Sequence, residues 1–109
     1  MPEFILPRIR EISVLADLSG QSLTGGSDAL SSDIEVNFEG WVRVQVIPGV
    51  DSVWKVKLNG KYGALNQGNA LTAGNLWEFD VTVTKGDTIN IQTDTDQTVT
   101  LLRLLKVVI

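Results

Sequence analysis

The sequence predicts an all-β domain, an antiparallel β-sandwich or small jelly-roll-like barrel entered by an extended N-terminal arm. Three observations predict it. From residue 33 onward, apolar and polar residues alternate with period two in one short segment after another, the pattern of strands with one buried and one wet face. The segments are separated by turn formers: Pro48-Gly49, Asn59-Gly60, Lys85-Gly86-Asp87 and the run from Asp94 to Asp96. No convincing helical period follows residue 20. A chain of 109 residues has room for one domain with a single modest core. With 43% hydrophobic and 20% charged residues it belongs among folded rather than disordered chains.

Taken in order, residues 1–10 (MPEFILPRIR) read as an arm. Pro2 and Pro7 remove backbone donors and disfavour helix, while Phe4, Ile5, Leu6 and Ile9 call for a surface to lie on. The same residues lack a signal-peptide pattern, because the basic residues come after the short apolar run. In IREISVLADL (9–18) a weak alternation sets Ile12, Val14 and Ala16 on one side, with a short helix as the rival reading. Residues 1–18 therefore form arm and first strand. Residues 19–32, rich in Gly and Ser, have the composition of a loop that is mobile or ordered by a partner. Residues 33–109 make up the sandwich.

Within it, Ile34, Val36 and Phe38 alternate with Asp33, Glu35 and Asn37, and Val42, Val44 and Val46 with Trp41, Arg43 and Gln45. Gly40 marks a bend or bulge between the two runs. Trp54, Val56 and Leu58 oppose Lys55 and Lys57. Asn59-Gly60 is then a strong hairpin signal, since a type I′ turn needs positive φ at both central residues. After a second loop, 63–75, Trp77, Phe79, Val81 and Val83 alternate with Glu78, Asp80, Thr82 and Thr84, and 88-TINIQT-93 follows the Lys-Gly-Asp corner. The last segment, 99-VTLLRLLKVVI-109, is apolar on both faces: Val99, Leu101, Leu105, Val107 and Ile109 on one side, Leu102, Leu104 and Val108 on the other. One face enters the core, and the second, assigned here to Leu102, Leu104 and Val108, calls for a neighbouring copy or a larger assembly.

Composition narrows the function. The net charge of −4, with nine scattered cations, disfavours nucleic acid, which needs clustered Lys and Arg. No segment reaches the roughly 20 apolar residues of a membrane-spanning helix. Without His or Cys the chain lacks the commonest general base, the commonest metal ligand and a thiol nucleophile. An enzyme would have to run on carboxylates such as Glu35, Glu39, Glu78 and Asp80, which read more simply as the wet faces of strands. The pair Asp94 and Asp96 has a calcium-loop spacing but lacks the following Gly and distal Glu, so it reads as a turn. The glycines of 24-TGGS-27 and 63-GALNQG-68 match no phosphate-binding fingerprint. Neither a cofactor nor a metal is expected. Among the aromatics, Trp54 and Trp77 lie on apolar registers and read as core. Trp41 shares its register with Arg43 and Gln45, and Tyr62 follows the hairpin turn, so these two are the candidate contact residues.

The run 77-WEFDVTVTKGDTINIQTD-94 resembles the small β-sandwich modules of tailed-phage virion proteins, such as head-decoration (cement) proteins and fibre domains. That resemblance spans about the last two thirds of the chain. It implies a non-enzymatic homo-oligomer, a trimer in the favoured form, fixed on the capsid surface through the major capsid protein or another virion protein. The arm (Phe4, Ile5, Leu6, Ile9), the aromatics Trp41 and Tyr62, and the strand residues Leu102, Leu104 and Val108 would then be the partner contacts. The alternative is a carbohydrate-binding sandwich in which Trp41 and Tyr62 form an open platform.

Overall fold

The structure, a computed structural model, describes residues 9–109. Its strands are β1 (Glu11–Asp17), β2 (Ser22–Leu23), β3 (Ile34–Glu35), β4 (Gly40–Ile47), β5 (Trp54–Leu58), β6 (Lys61–Ala64), β7 (Trp77–Val83), β8 (Thr88–Thr93), β9 (Gln97–Thr98) and β10 (Leu101–Val108). Two four-stranded antiparallel sheets, β1-β10-β4-β7 and β3-β8-β5-β6, face one another, and β2 pairs with β9 in a small ladder. This is the all-β sandwich that the alternation predicts. Val42, Val44, Val46, Leu102 and Leu104 of the first sheet meet Trp54, Val56, Ile89 and Ile91 of the second in one core.

The plainest alternations hold residue by residue. In β4 the three valines are fully buried and the residues between them half-buried. Asn59 and Gly60 both take positive φ (52° and 80°), as the type I′ turn between β5 and β6 requires. The Asn59 side chain ties that turn to the start of β8, donating to Asp87 Oδ1 (3.0 Å) and accepting from Thr88 N–H (2.9 Å). Gly40 opens β4 at φ 150°, where a Cβ would collide with the Val107 carbonyl oxygen, so close approach of β10 excludes any side chain there. The Lys-Gly-Asp corner is a passage between layers. β7 belongs to the first sheet and β8 to the second, and Asp87 caps the corner by accepting from Thr84 N–H at 2.9 Å.

Residues 11–17 form a strand, not a helix, but Ile12, Val14 and Ala16 do not share a face. Val14 pairs with Leu105 and Ala16 with Leu104, so Leu15 is an extra residue, a bulge that reverses the sides of the strand midway. Ala16 consequently turns inward while Ile12 and Val14 turn out. The Gly/Ser stretch is held within the chain itself: Gly26 and Ala29 donate backbone N–H to Thr93 and Ile91 (2.8 and 2.7 Å), and Leu30 N–H reaches Asn90 Oδ1 (3.1 Å). It thereby covers the β8 edge next to the short β3.

Candidate functional site: the outer faces of the two sheets

Register decides which side chains face out. Leu102 lies opposite Val46 and Leu104 opposite Val44, so both point into the core, where they are 0% and 1% exposed. Val108, opposite Gly40, also sits on the inner side, half-buried against the same core. The assignment of Leu102, Leu104 and Val108 to a partner surface is therefore corrected. The outward apolar residues of β10 are Leu101, Leu105 and Val107, of which Leu101 and Leu105 are half-buried and Val107 is 0% exposed. The cause is simple: both faces of the segment are apolar, so its own pattern fits either phase, and only pairing with the valines of β4 selects one.

On the outer side of the first sheet, Val107 lies between Ile12 of β1 and Trp41 of β4, and Leu105 lies between Val14 and Arg43. Ile12 and Val14 are 54% and 55% exposed, and Ile9 and Ile109, next to the same edge, are 49% and 47% exposed. An apolar strip thus runs from the β1 edge toward the middle of the sheet. Beyond it the face becomes polar: Arg43 binds Asp80 of β7 through Nε (2.9 Å) and Nη2 (3.3 Å), and Gln45 donates to Glu78 (3.4 Å). Burial leaves Trp41 Nε1, Gln45 Oε1 and Arg103 Nε without hydrogen-bond partners among the described residues, and all three belong to outward registers of β4 and β10. Trp41 itself is half-buried. Of the arm residues, Phe4, Ile5 and Leu6 lie outside the described residues, and the chain joins the sheet at Arg10, whose N–H donates to the Val108 carbonyl (2.7 Å).

Tyr62 belongs to the opposite side of the molecule. In the β5–β6 hairpin it pairs with Lys57, on the outer face of the second sheet. Its hydroxyl donates to Asp28 Oδ1 at 2.6 Å, and Lys57 Nζ reaches Asp28 Oδ2 at 3.1 Å and Asp33 at 3.4 Å. Asn90 extends the cluster by donating to Asp33 Oδ1 (2.9 Å) and the Leu30 carbonyl (3.0 Å). Trp41 and Tyr62 therefore stand on opposite outer faces and do not form one stacking platform. The Lys57–Tyr62 pairing was legible from the two-residue turn, which sets the hairpin register. Nothing in the loop composition placed Asp28 and Asp33 beside them.

These contacts shift the ionisation of the cluster in a readable way. The Tyr62 hydroxyl, and then the Lys57 ammonium, hold the Asp28 carboxyl below the ordinary aspartate value of 3.8. Asp28 in turn raises Lys57 above 10.5 and Tyr62 above 10.0. A lowered carboxyl contributes stability that is fully present above 3.8 and lost as pH falls through its folded value. The raised groups contribute stability that is present below about 10 and lost as pH rises through their folded values. Asp28→Asn should accordingly lower the urea midpoint at neutral pH and flatten both the acid and the alkaline limbs of the stability profile. A profile that keeps wild-type slopes on both limbs would show that the cluster does not hold the loop.

Of the other candidate carboxylates, all but the exposed Glu35 have a structural partner among the described residues. Asp80 is paired with Arg43, Glu78 accepts from Gln45, and Glu39 Oε1 accepts from Lys85 N–H (3.4 Å). Asp94 Oδ1 accepts from Val53 N–H (2.9 Å) and Asp96 Oδ1 from Gly25 N–H (2.7 Å), so this pair caps loops as turn residues do. Among the described residues there is no group of three or more Asp and Glu placed to hold a metal ion, and no helix is long and apolar enough to cross a membrane. No protein-family model matches the chain, and neither a curated protein nor a solved structure matches it significantly.

Proposed function

We propose that this chain is a non-enzymatic structural module that assembles with copies of itself through the outer face of β1 and β10, in the manner of a head-decoration protein bound to a phage capsid. The observation that carries the assembly reading is the exposed pair Ile12 and Val14 on the outer side of β1, flanked by the half-buried Leu105 and Trp41, with Val107 fully buried between them. Two half-exposed aliphatic residues on one face of an edge strand are what soluble monomers avoid, because a bare edge templates pairing with another chain. The capsid form of the reading rests on the resemblance of residues 77–94 to virion sandwiches, and a trimer is its favoured state.

Sedimentation velocity at low micromolar concentration tests it directly. The wild-type chain should sediment as an oligomer, and Ile12→Lys combined with Val14→Lys should convert it to a monomer with an unchanged circular dichroism spectrum. Both substituted positions are more than half exposed, so the fold tolerates them. A well-folded wild-type monomer at that concentration would overturn the proposal.

A further inference from the structure

At the edge of the sandwich where β6 and β7 lie across from one another, the two sheets leave an open cleft of about 560 Å³. Its lining is mostly aliphatic, with Val56 and Leu58 of β5, Val81 of β7 and Leu65 from the turn after β6, joined by the polar Asn59 and Tyr62 of the β5–β6 hairpin. Size and lining are those of a small-molecule site, for which roughly 300–1,000 Å³ is usual. Two residues of β6 make this cleft more than a packing defect.

The first is Gly63. It lies opposite Val56 and so faces the interior, yet nothing comes within 4 Å of where a Cβ would stand, and its φ is not in the left-handed region. Neither backbone conformation nor crowding requires glycine there. A larger apolar residue would close the mouth of the cleft and extend the core, and glycine instead weakens the strand and leaves the site open. The second is Lys61. Opposite Leu58, it stands on the same inward register at the rim, is the one charged residue of the lining, and makes no ion pair among the described residues. Lys57, on the outward register, is by contrast engaged by Asp28 and Asp33.

We propose that the cleft binds an amphipathic carboxylate, a medium-length alkyl acid whose chain lies along Val56, Leu58 and Val81 and whose carboxylate pairs with the Lys61 ammonium. A mostly aliphatic trough whose one charged lining residue is a cation without an ion pair among the described residues matches an apolar body with one anionic end, and disfavours a cationic or a uniformly polar ligand. This site is separate from the outer face of the first sheet and does not depend on the assembly reading.

The test is titration of the full chain with decanoate at neutral pH, followed by calorimetry and by the backbone amide resonances of β5, β6 and β7. Saturable binding in the low-millimolar range or tighter is expected, with shifts centred on Lys61–Ala64. Lys61→Gln should weaken decanoate at least tenfold and abolish its preference over decanol. Gly63→Leu should remove binding while keeping or raising the melting temperature, which separates a filled site from a damaged fold. The proposal is overturned if decylamine binds as well as decanoate, if Gly63→Leu binds like wild type, or if decanoate gives no saturable signal.

Discussion

Replacing Trp54 with alanine should lower the melting temperature by roughly 12–20 °C, from about 3–5 kcal/mol of lost stability at about 4 °C per kcal/mol in a domain of this size. Trp54 is 0% exposed, lies opposite Thr93 of β8, and is among the largest fully buried side chains. Its removal forfeits the burial of an indole and leaves a cavity between two sheets held apart by their other side chains, so collapse is partial. The indole N–H donates to Ser52 Oγ (2.9 Å), which also accepts from Gln97 (3.0 Å) and donates to the Val50 carbonyl (2.9 Å). Ser52 therefore keeps partners when the indole is lost, and most of the cost is packing. Trp54→Phe should retain most of the burial and cost about half as much or less. Thermal unfolding followed by circular dichroism measures both. If the two variants prove equally destabilised, the buried hydrogen bond rather than the ring volume is what Trp54 supplies.

Against a total stability of about 5–15 kcal/mol for a native domain, such a loss is a large share, and the same arithmetic explains what could be read in advance. Where a segment has one apolar and one polar face, burial of the apolar face dominates every alternative, so β4, β5, β7 and β8 were legible as written. Asn59-Gly60 was legible because few residue pairs tolerate two successive positive φ values. The Leu15 bulge was not, since an extra residue in β1 shows only against its partner β10. The Gly/Ser stretch misled for a related reason. Its composition is that of a free loop, but Gly26 and Ala29 find backbone acceptors on β8, a strand more than sixty residues downstream. The carboxylate partners of Lys57 were hidden in the same way, because loop geometry alone brings Asp28 and Asp33 over the second sheet. Gly63 was read only as a loop glycine. Its significance lies in the empty space beside it, which no local pattern records.

The sharpest case is the pair Leu104 and Leu105, adjacent in sequence and opposite in fate. Leu104→Lys should leave the chain unfolded or nearly so at 25 °C, whereas Leu105→Lys should keep a cooperative transition and a spectrum close to wild type. Leu104 is 1% exposed and faces Val44 across the ladder, so a lysine there loses the aliphatic packing and carries an ammonium into a core with no acid to pair it. A buried unpaired charge must either deprotonate or draw water inward, and together with the lost packing the cost is on the order of the whole stability of a small domain. Leu105 faces outward beside Val14 and Arg43, where a lysine stem lies along the surface and its ammonium reaches water. The effect expected there is on association: a charge set into the apolar strip should move the sedimentation boundary to that of a monomer, because an interface core tolerates an unpaired ammonium no better than a protein core does. Severe unfolding of the Leu105 variant with tolerance at Leu104 would reverse the faces of β10. A Leu105 variant that folds and remains associated like wild type would place the contact between copies elsewhere.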